Sequence, residues 1–235
     1  MQVHRLPNAW LLFALLLLVV AYPFLHDLAF GRAMVALFDP AILGLALVAA
    51  RTSGAESKLG LGLVVPAIAL HIVGALGGHP LVYAASLMAQ ALFHGFVVVC
   101  LLRYVLRDLV MTPDEMFAAA NLYVLAAFVF GYLFAALEFL LPGSFVINAA
   151  NNPDGVLGWW EMLYFSFTCL TSVGFGEITP VNDHARSLVM IEQMMGVLYL
   201  ALVISRLVAM QSQRARIVRD AREARAEAKR DAGDV

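Results

Sequence analysis

Six apolar stretches, each about as long as a helix that crosses a bilayer, constrain the fold of this chain more than any other feature. A spanning helix needs roughly 20 apolar residues, and the stretches occupy residues 8–25, 33–50, 59–76, 81–102, 117–141 and 185–210. Hydrophobic residues make up 62% of the 235 residues and charged residues only 14%. Because so few polar side chains cannot cover a water-soluble fold, the sequence predicts an all-α membrane protein with six transmembrane helices.

Two helix starts have local signals. Thr112-Pro113-Asp114-Glu115 is typical of a capping box with proline in the first turn, and predicts a helix from Pro113 to about residue 141. Asp39-Pro40 is a favourable N-cap and N1 pair inside the second stretch. The second helix therefore begins either near residue 33 or at Pro40, and residues 142–158 are expected to form an outer loop.

The basic residues indicate the orientation in the membrane. With six spans both termini share one side, and all lysines and arginines except Arg32 and Arg186 then fall on that side. The positive-inside rule makes this side cytoplasmic, in the plasma membrane or, for a prokaryotic chain, the bacterial inner membrane. The alternative is that the first stretch, which follows Arg5, is a signal peptide. Cys100 and Cys169 lie in a predicted span and in an apolar segment, so no disulfide is expected.

The segment between the last two stretches carries the strongest functional signal. Residues 171–177 read Thr-Ser-Val-Gly-Phe-Gly-Glu. An ion filter replaces the water around a cation with backbone carbonyl oxygens, which requires torsions that glycine accepts and other residues resist. Gly174 and Gly176 meet that need, so the segment predicts an ion pore.

These residues resemble the potassium channel family, whose filter reads Thr-Val-Gly-Tyr/Phe-Gly and is followed by an acidic residue. The resemblance covers residues 158–210 and includes the aromatic segment 159–170, the filter and Gly196, which lies where the family often has a hinge glycine. It implies a conducting filter formed by Thr171, Ser172, Val173, Gly174, Phe175 and Gly176. It also implies potassium ions held by the carbonyl oxygens of Ser172, Val173, Gly174 and Phe175, with the Ser172 hydroxyl at the innermost site. One filter per chain cannot surround an ion, so a homotetramer follows, with no cofactor besides potassium.

The resemblance assigns supporting roles around the filter. Residues 159–170 are expected to form a short re-entrant pore helix whose carboxyl end carries about half a negative charge. Tyr164 and Thr168 support the filter, although Thr168 has the alternative of bonding only its own helix. Glu177 lies at the outer mouth, where four copies concentrate cations, or bonds to the back of the filter. Trp159 and Trp160 either pack around the filter or belong to an interfacial aromatic belt.

Two filter residues depart from the commonest family pattern. Ser172 keeps the hydroxyl of threonine but lacks the methyl group that stiffens the side chain. Phe175 replaces tyrosine and cannot donate a hydrogen bond to the pore helix. Potassium selectivity is the prediction, and a weakly selective monovalent cation channel is the alternative.

Two residues of the last stretch have open roles. Gly196 is a candidate gate hinge or a close-packing site. Glu192 is an intramembrane acid, which is a functional candidate by default, or a side chain that pairs behind the filter.

The first four stretches resemble the sensor domain of six-transmembrane channels without its arginines. The fourth stretch, residues 81–102, contains no lysine or arginine, whereas a steep voltage sensor needs several charges. Arg103 and Arg107 follow it and are interpreted as topology anchors or lipid-headgroup contacts, so weak or absent voltage dependence is expected. His71 and His94 are interpreted as interhelical hydrogen-bonding residues, with pH gating as the alternative.

The predicted organisation has three parts. Residues 1–107 form a four-helix domain, residues 108–210 the pore domain, and residues 211–235 a charged cytoplasmic helical tail that either continues the last helix or binds anionic lipid. No nucleic-acid partner and no enzyme activity are expected, since no phosphate loop or nucleophile with a base emerges. A non-conducting membrane scaffold is the alternative from another class.

Overall fold

Seven α-helices and two short strands make up the described part of the chain in this computed structural model, which covers residues 6–26, 31–52, 57–75, 79–107, 112–148, 150, 152 and 155–231. For residues 26, 31–39, 51–52, 57, 75, 207 and 209–231 only the backbone is described. The elements are α1 (Pro7–His26), α2 (Gly31–Thr52), α3 (Ser57–Ala75), α4 (Pro80–Arg107), α5 (Pro113–Leu140), β1 (Phe145–Ile147), α6 (Trp159–Leu170), β2 (Ile178–Pro180) and α7 (Asp183–Asp231).

Four helices in the described residues are long and apolar enough to cross a membrane. They are Pro7–Leu25, Pro80–Arg107, Pro113–Leu140 and Asp183–Arg206. The apolar parts of α2 and α3 are shorter, at Pro40–Ala50 and Lys58–Gly74. These bounds include only residues whose side chains are described, and the count of six spans stays a prediction.

The two predicted helix starts differ in outcome. The capping box is present before α5, where the Thr112 hydroxyl accepts a hydrogen bond from the Glu115 amide at 3.3 Å and the Glu115 carboxylate accepts one from the Thr112 amide at 2.7 Å. The α2 backbone is helical from Gly31, so Pro40 lies inside the helix and does not begin it. Proline inside a helix removes one backbone hydrogen bond and favours a kink.

The helices pack around α5. It contacts α1, α4, α6 and α7, while α3 packs on α4 and α2 packs on α1 and α3. The core between them is filled by fully buried side chains, among them Phe93, Phe128 and Phe134. Cys100 and Cys169 are both buried and free, as the sequence predicts.

Part of the predicted outer loop is a strand, which corrects the expectation of a loop throughout residues 142–158. β1 pairs antiparallel with β2, with Phe145 opposite Pro180 and Ile147 opposite Ile178. The β-forming triplet Phe-Val-Ile is too short to predict a strand alone, and its partner lies beyond α6. Residues on both sides of α6 are thereby fastened to each other.

The segment between α6 and α7 is tied to the same frame. The Ser144 carbonyl accepts a hydrogen bond from the Val181 amide at 2.8 Å, and the Asn182 side chain donates to the Ser144 hydroxyl at 2.7 Å. Asn182 also caps α7, since its side-chain oxygen accepts from the Ala185 amide at 2.9 Å. The segment 171–177 therefore connects two fixed elements, α6 before it and β2 after it.

Candidate functional site

The backbone of residues 171–176 alternates in handedness. Ser172, Gly174 and Gly176 have positive φ angles of 59°, 54° and 80°, while the residues between them do not. An alternation of right-handed and left-handed torsions turns successive N–H groups to one side of the chain and leaves the carbonyl groups on the other. The glycines adopt the left-handed region at no steric cost. The predicted need for glycine at these two positions is thus visible in the backbone.

Ser172 is the residue of this segment whose conformation the sequence does not predict. It is the one non-glycine residue with a positive φ in the described part of the chain. A left-handed torsion costs an L-residue roughly 1–2 kcal/mol, and β-branched residues adopt it least readily. Position 172 has serine where the family has threonine, and serine tolerates this left-handed torsion better than threonine does.

The N–H groups of the segment are bound to the carboxyl end of α6. The Thr171 amide donates to the Phe167 carbonyl at 3.1 Å and the Ser172 amide to the Cys169 carbonyl at 3.0 Å. The amides of Val173 and Gly174 both donate to the Thr168 carbonyl, at 3.0 and 3.1 Å. The carbonyl oxygens of residues 172–175 accept no hydrogen bond from the described residues. One edge of the segment is therefore occupied, and the other presents free oxygen atoms.

The free edge is exposed on the surface of a single chain. All residues from Thr171 to Gly176 are exposed, including 56% of Val173 and 68% of Phe175. Ser172 and Gly174 also line a cleft of about 620 Å³ that they share with α7. The α7 residues that line it are Gln193, Met194, Val197 and Leu198.

The helix α6 has the bounds that the sequence predicts and lies against α5 and α7. It begins at Gly158, whose amide donates to the Glu161 carboxylate at 2.9 Å. A β-carbon at Gly131 of α5 would lie 3.0 Å from the Cα atom of Leu163, so glycine allows the two helices to approach closely. Trp160 stacks on Tyr22 of α1, with ring centroids 3.9 Å apart. The start of α6 is thus packed on the first helix as well.

Thr168 contributes through its backbone. Its hydroxyl donates to the Phe165 carbonyl of its own helix at 2.7 Å, which is the alternative that the sequence left open. Its carbonyl is the acceptor for Val173 and Gly174 described above. The contact of Thr168 with the segment does not depend on its side chain.

Tyr164 and Glu177 meet at the outer end of the segment. The Tyr164 hydroxyl donates to the Glu177 carboxylate at 3.2 Å, and its ring lies parallel to that of Phe175 with centroids 6.5 Å apart. Partial burial, together with the charge of Glu177 and this hydrogen bond, raises the pKa of Tyr164 above its ordinary value, so the hydroxyl keeps its proton. The Glu177 carbonyl accepts from the Asn148 amide at 3.2 Å. The Glu177 carboxylate thus makes a hydrogen bond to α6, and the two roles weighed for it at the filter stay predictions.

The last turn of α6 is held by two groups. The Tyr123 hydroxyl of α5 donates to the Leu170 carbonyl at 3.1 Å. A β-carbon at Gly196 of α7 would overlap the same carbonyl oxygen, so glycine there has a packing reason, and the α7 backbone stays helical through it. A hinge role for Gly196 stays a prediction.

Sequence reasoning missed the groups that anchor α6. Tyr123 and Ser166 are hydroxyl residues in apolar stretches, and Ser166 bonds to the Ala127 carbonyl and to Glu192. Glu192 itself was singled out, and the structure places it behind the segment. His94 donates from Nδ1 to the Gln90 carbonyl of its own helix at 2.8 Å, which corrects its interpretation as an interhelical hydrogen-bonding residue, and its ring contacts α5. The sequence signal for each of these residues is a polar side chain within an apolar stretch. That signal does not predict which group the side chain bonds.

Comparison with known proteins identifies the same region. Residues 122–213 match a family described as ion channel. Over 67 residues the chain is 37% identical to the potassium channel protein kcv of Paramecium bursaria Chlorella virus 1, an overlap that covers 28% of this chain and 65% of the viral protein. The chain thus spans slightly less than two thirds of that relative, and no solved structure matches it. This similarity to an ion channel family points to transport and not to enzyme catalysis. With its apolar helices and the match over residues 122–213, this chain is a multi-pass membrane protein that is similar to ion channels over that region.

Proposed function

We propose that this chain forms a potassium-selective channel through which K⁺ moves passively down its electrochemical gradient. The observation that carries the proposal is that the two edges of residues 172–175 differ. The amides of Ser172, Val173 and Gly174 are bonded to α6, whereas the carbonyl groups are free. Rings of such oxygens replace the hydration shell of a cation. The cargo ions bind at the carbonyl oxygens of Ser172, Val173, Gly174 and Phe175.

The assembly we propose is a homotetramer around the segment 171–176. In a single chain the free carbonyls lie at an exposed surface, and an ion bound there would be coordinated from one side only. The adjoining face of α7 is also apolar and exposed, with 57% of Met194, 56% of Val197 and 62% of Leu198 accessible. In a membrane an apolar helix face contacts either lipid or another chain, so the half-built site is what requires association, and closed rotational symmetry completes the ring.

Weak or absent voltage dependence is part of the proposal. Between Leu81 and Leu102 of α4 no lysine or arginine occurs, and Arg103 and Arg107 lie at the end of the helix. Moving a charge across the membrane yields about 2.3 kcal/mol per 100 mV, so a helix without charge at its centre gains little from the field. Six crossings with both termini in the cytoplasm, in the plasma membrane or a bacterial inner membrane, complete the proposed topology, and the basic tail contacts anionic lipid there.

The test is the reversal potential of the purified protein in planar bilayers with potassium on one side and sodium on the other. A potassium-selective channel shifts the reversal strongly toward the potassium equilibrium potential. A clear current that reverses near zero contradicts selectivity and supports the weakly selective cation channel, the second candidate, which rests on serine in place of the family's threonine at position 172. A protein that forms tetramers in native mass spectrometry and passes no current under any ion gradient would support a membrane scaffold.

A matched pair of glycine variants connects the current to the segment. Gly174 and Gly155 have φ angles of 54° and 67°, and a β-carbon at either would meet nothing within 4 Å. Gly174→Ala and Gly155→Ala therefore impose the same kind of backbone strain, one inside the segment and one in the outer loop. We expect Gly174→Ala to remove potassium current and Gly155→Ala to keep it. Equal loss from both variants contradicts the assignment of residues 171–176 as the filter.

A further inference from the structure

A buried hydrogen-bonded chain joins α5, α6 and α7 behind the segment 171–176. The Ser166 hydroxyl of α6 lies 2.8 Å from the Ala127 carbonyl of α5 and within hydrogen-bond distance of the Glu192 carboxyl oxygen Oε1 of α7. Ser166 and Glu192 have no accessible surface. Both are enclosed within a single chain, so assembly adds no partner to Glu192.

The number of hydrogen atoms available to Ser166, Ala127 and Glu192 indicates whether Glu192 is protonated. A serine hydroxyl carries one hydrogen atom and the Ala127 carbonyl carries none. If Glu192 were ionised, the Ser166 hydrogen could bond only one of its two neighbours, the Ala127 carbonyl or Glu192 Oε1. The remaining oxygen would then lie at hydrogen-bond distance from the Ser166 oxygen with no proton between the two. With a proton on Oε1, Glu192 donates to Ser166 and Ser166 donates to Ala127. We infer that Glu192 is a neutral carboxylic acid that acts as a positioning residue for the proposed filter by tying α6 to α5 and α7 through Ser166.

The surroundings of Glu192 agree with a neutral acid. Its second oxygen, Oε2, is buried and has no hydrogen-bonding partner among the described residues. A buried carboxylate in that position would need a cation or several donors. The titratable side chains that face it are Tyr123 from α5 and Cys169 from α6, and neither is a cation. A carbonyl oxygen without a partner is far less costly to bury than a charged one.

The position of Ser166 connects these hydrogen bonds to ion binding, a step that rests on the proposed function. Ser166 precedes Thr168 by two residues in the same helix, and the Thr168 carbonyl holds the amides of Val173 and Gly174. A shift of α6 relative to α5 and α7 would move that carbonyl and with it the free oxygens of residues 172–175. Loss of the Glu192 proton donor should therefore weaken potassium binding without changing any group that contacts the ion.

Infrared difference spectroscopy of the purified tetramer at neutral pH measures the protonation directly. The spectrum of the wild type minus Glu192→Gln should contain the carbonyl stretch of a protonated carboxylic acid, which is shifted by deuterium exchange. An exposed glutamate is ionised at that pH. Ser166→Ala should move the band, because it removes the acceptor of the Glu192 proton. Ser86→Ala is the control, since Ser86 is also buried but bonds the Tyr83 carbonyl of its own helix, and it should leave the band unchanged. Carboxylate bands in place of the acid band overturn the inference.

Potassium binding, measured as the rise of the unfolding temperature with potassium against sodium, tests the positioning role. We expect Ser166→Ala and Glu192→Leu to weaken binding about three- to tenfold. Glu192→Gln, which keeps a neutral donor, should stay within about twofold of the wild type, as should Ser86→Ala. Unchanged binding in Ser166→Ala and Glu192→Leu overturns the positioning role. Absence of potassium binding in the wild type itself contradicts the proposed function instead, and the infrared band still decides the state of Glu192.

Discussion

The first four helices and the α5–α7 unit use buried polar side chains in different ways. In α4 the hydrogen bonds of Ser86 and His94 go to carbonyl groups of the same helix. In the α5–α7 unit the buried Thr168 hydroxyl also bonds its own helix, but four other buried or half-buried side chains bond across elements. These bonds run from Tyr123 to Leu170, from Ser166 to Ala127, from Tyr199 to Ala119, and from Asn182 to Ser144.

This difference indicates how much positional precision each region requires. Apolar packing tolerates small sliding of helices and substitutions that keep volume, which suits a bundle whose task is to surround and support. A directional hydrogen bond loses most of its strength when its geometry changes. Cross-element hydrogen bonds therefore occur where backbone oxygens must be held at fixed positions, which is the region from α6 to β2.

One polar link connects the two regions, at the first turn of α5. Asp114 accepts hydrogen bonds from the Asn8 amide at 3.2 Å, from the Asn8 side chain at 2.7 Å and from the Tyr104 hydroxyl at 3.3 Å. The Asn121 side chain donates to the Asn8 carbonyl at 2.7 Å. The ends of α1, α4 and α5 are thereby joined, so the first four helices are fastened to the first turn of the α5–α7 unit.

The largest contrast between the regions should come from a methyl group added to one glycine in each. Gly196→Ala of α7 places a β-carbon on the Leu170 carbonyl oxygen, whereas Gly95→Ala of α4 meets nothing within 4 Å. We expect Gly196→Ala to lower the free energy of unfolding by about 1–3 kcal/mol through overpacking and to reduce potassium current. Gly95→Ala should raise that free energy by about 0.5–1 kcal/mol, because alanine is the better helix residue. Thermal unfolding of the purified proteins measures both, and a tolerated Gly196→Ala would contradict the close contact.

The polar link between the regions should be next in size. Asp114→Ala leaves the fully buried Asn8 without its acceptor, and an unsatisfied buried donor costs about 1–3 kcal/mol. We expect this loss in the free energy of unfolding with no change in the reversal potential, because the filter is not touched. A double-mutant cycle with Asn8→Ala should give a coupling energy that accounts for most of the loss. A changed reversal potential would mean that the two regions are not separable in this way.

A smaller effect is expected at Ser172. It tests whether the left-handed backbone at this position tolerates the threonine that is commonest in the family. Ser172→Thr restores the family residue but puts a β-branched side chain at a φ of 59°, which should cost about 1 kcal/mol of potassium-dependent stability. Ser172→Gly removes the strain and serves as the paired variant. If Ser172→Thr binds potassium more tightly than the wild type, the left-handed torsion is not the conformation of the assembled filter.

The sequence predicts the elements of this unit well because their signals are local. The capping box before α5 and the bounds of α6 follow from short motifs and from apolar patterning. The positive φ angles at Gly174 and Gly176 follow from the lack of a β-carbon. Each of these features depends on residues that are neighbours in the chain.

The partners of the buried polar residues are not predictable in the same way. Asn8 and Asp114 are separated by 106 residues, and Tyr199 and Ala119 by 80, so no local pattern joins them. β1 is missed because its partner strand lies on the far side of α6. The left-handed torsion at Ser172 accompanies a local turn in which its amide donates to the Cys169 carbonyl, and serine gives no sequence signal for that torsion.

The smallest expected effect lies at the outer end of the proposed filter, where the side chains are exposed. Tyr164→Phe removes the hydroxyl that donates to Glu177 at 3.2 Å but keeps the ring that lies parallel to Phe175. Since Tyr164 is 38% exposed, water replaces the lost bond, and the free energy of unfolding should change by less than about 0.5 kcal/mol. Because Phe175 cannot bond to α6 through its own side chain, this hydrogen bond is the side-chain link between α6 and the outer mouth. We therefore expect a shorter lifetime of the conducting state in single-channel records, with the reversal potential unchanged, and Glu177→Gln, which keeps an acceptor, should retain most of that lifetime.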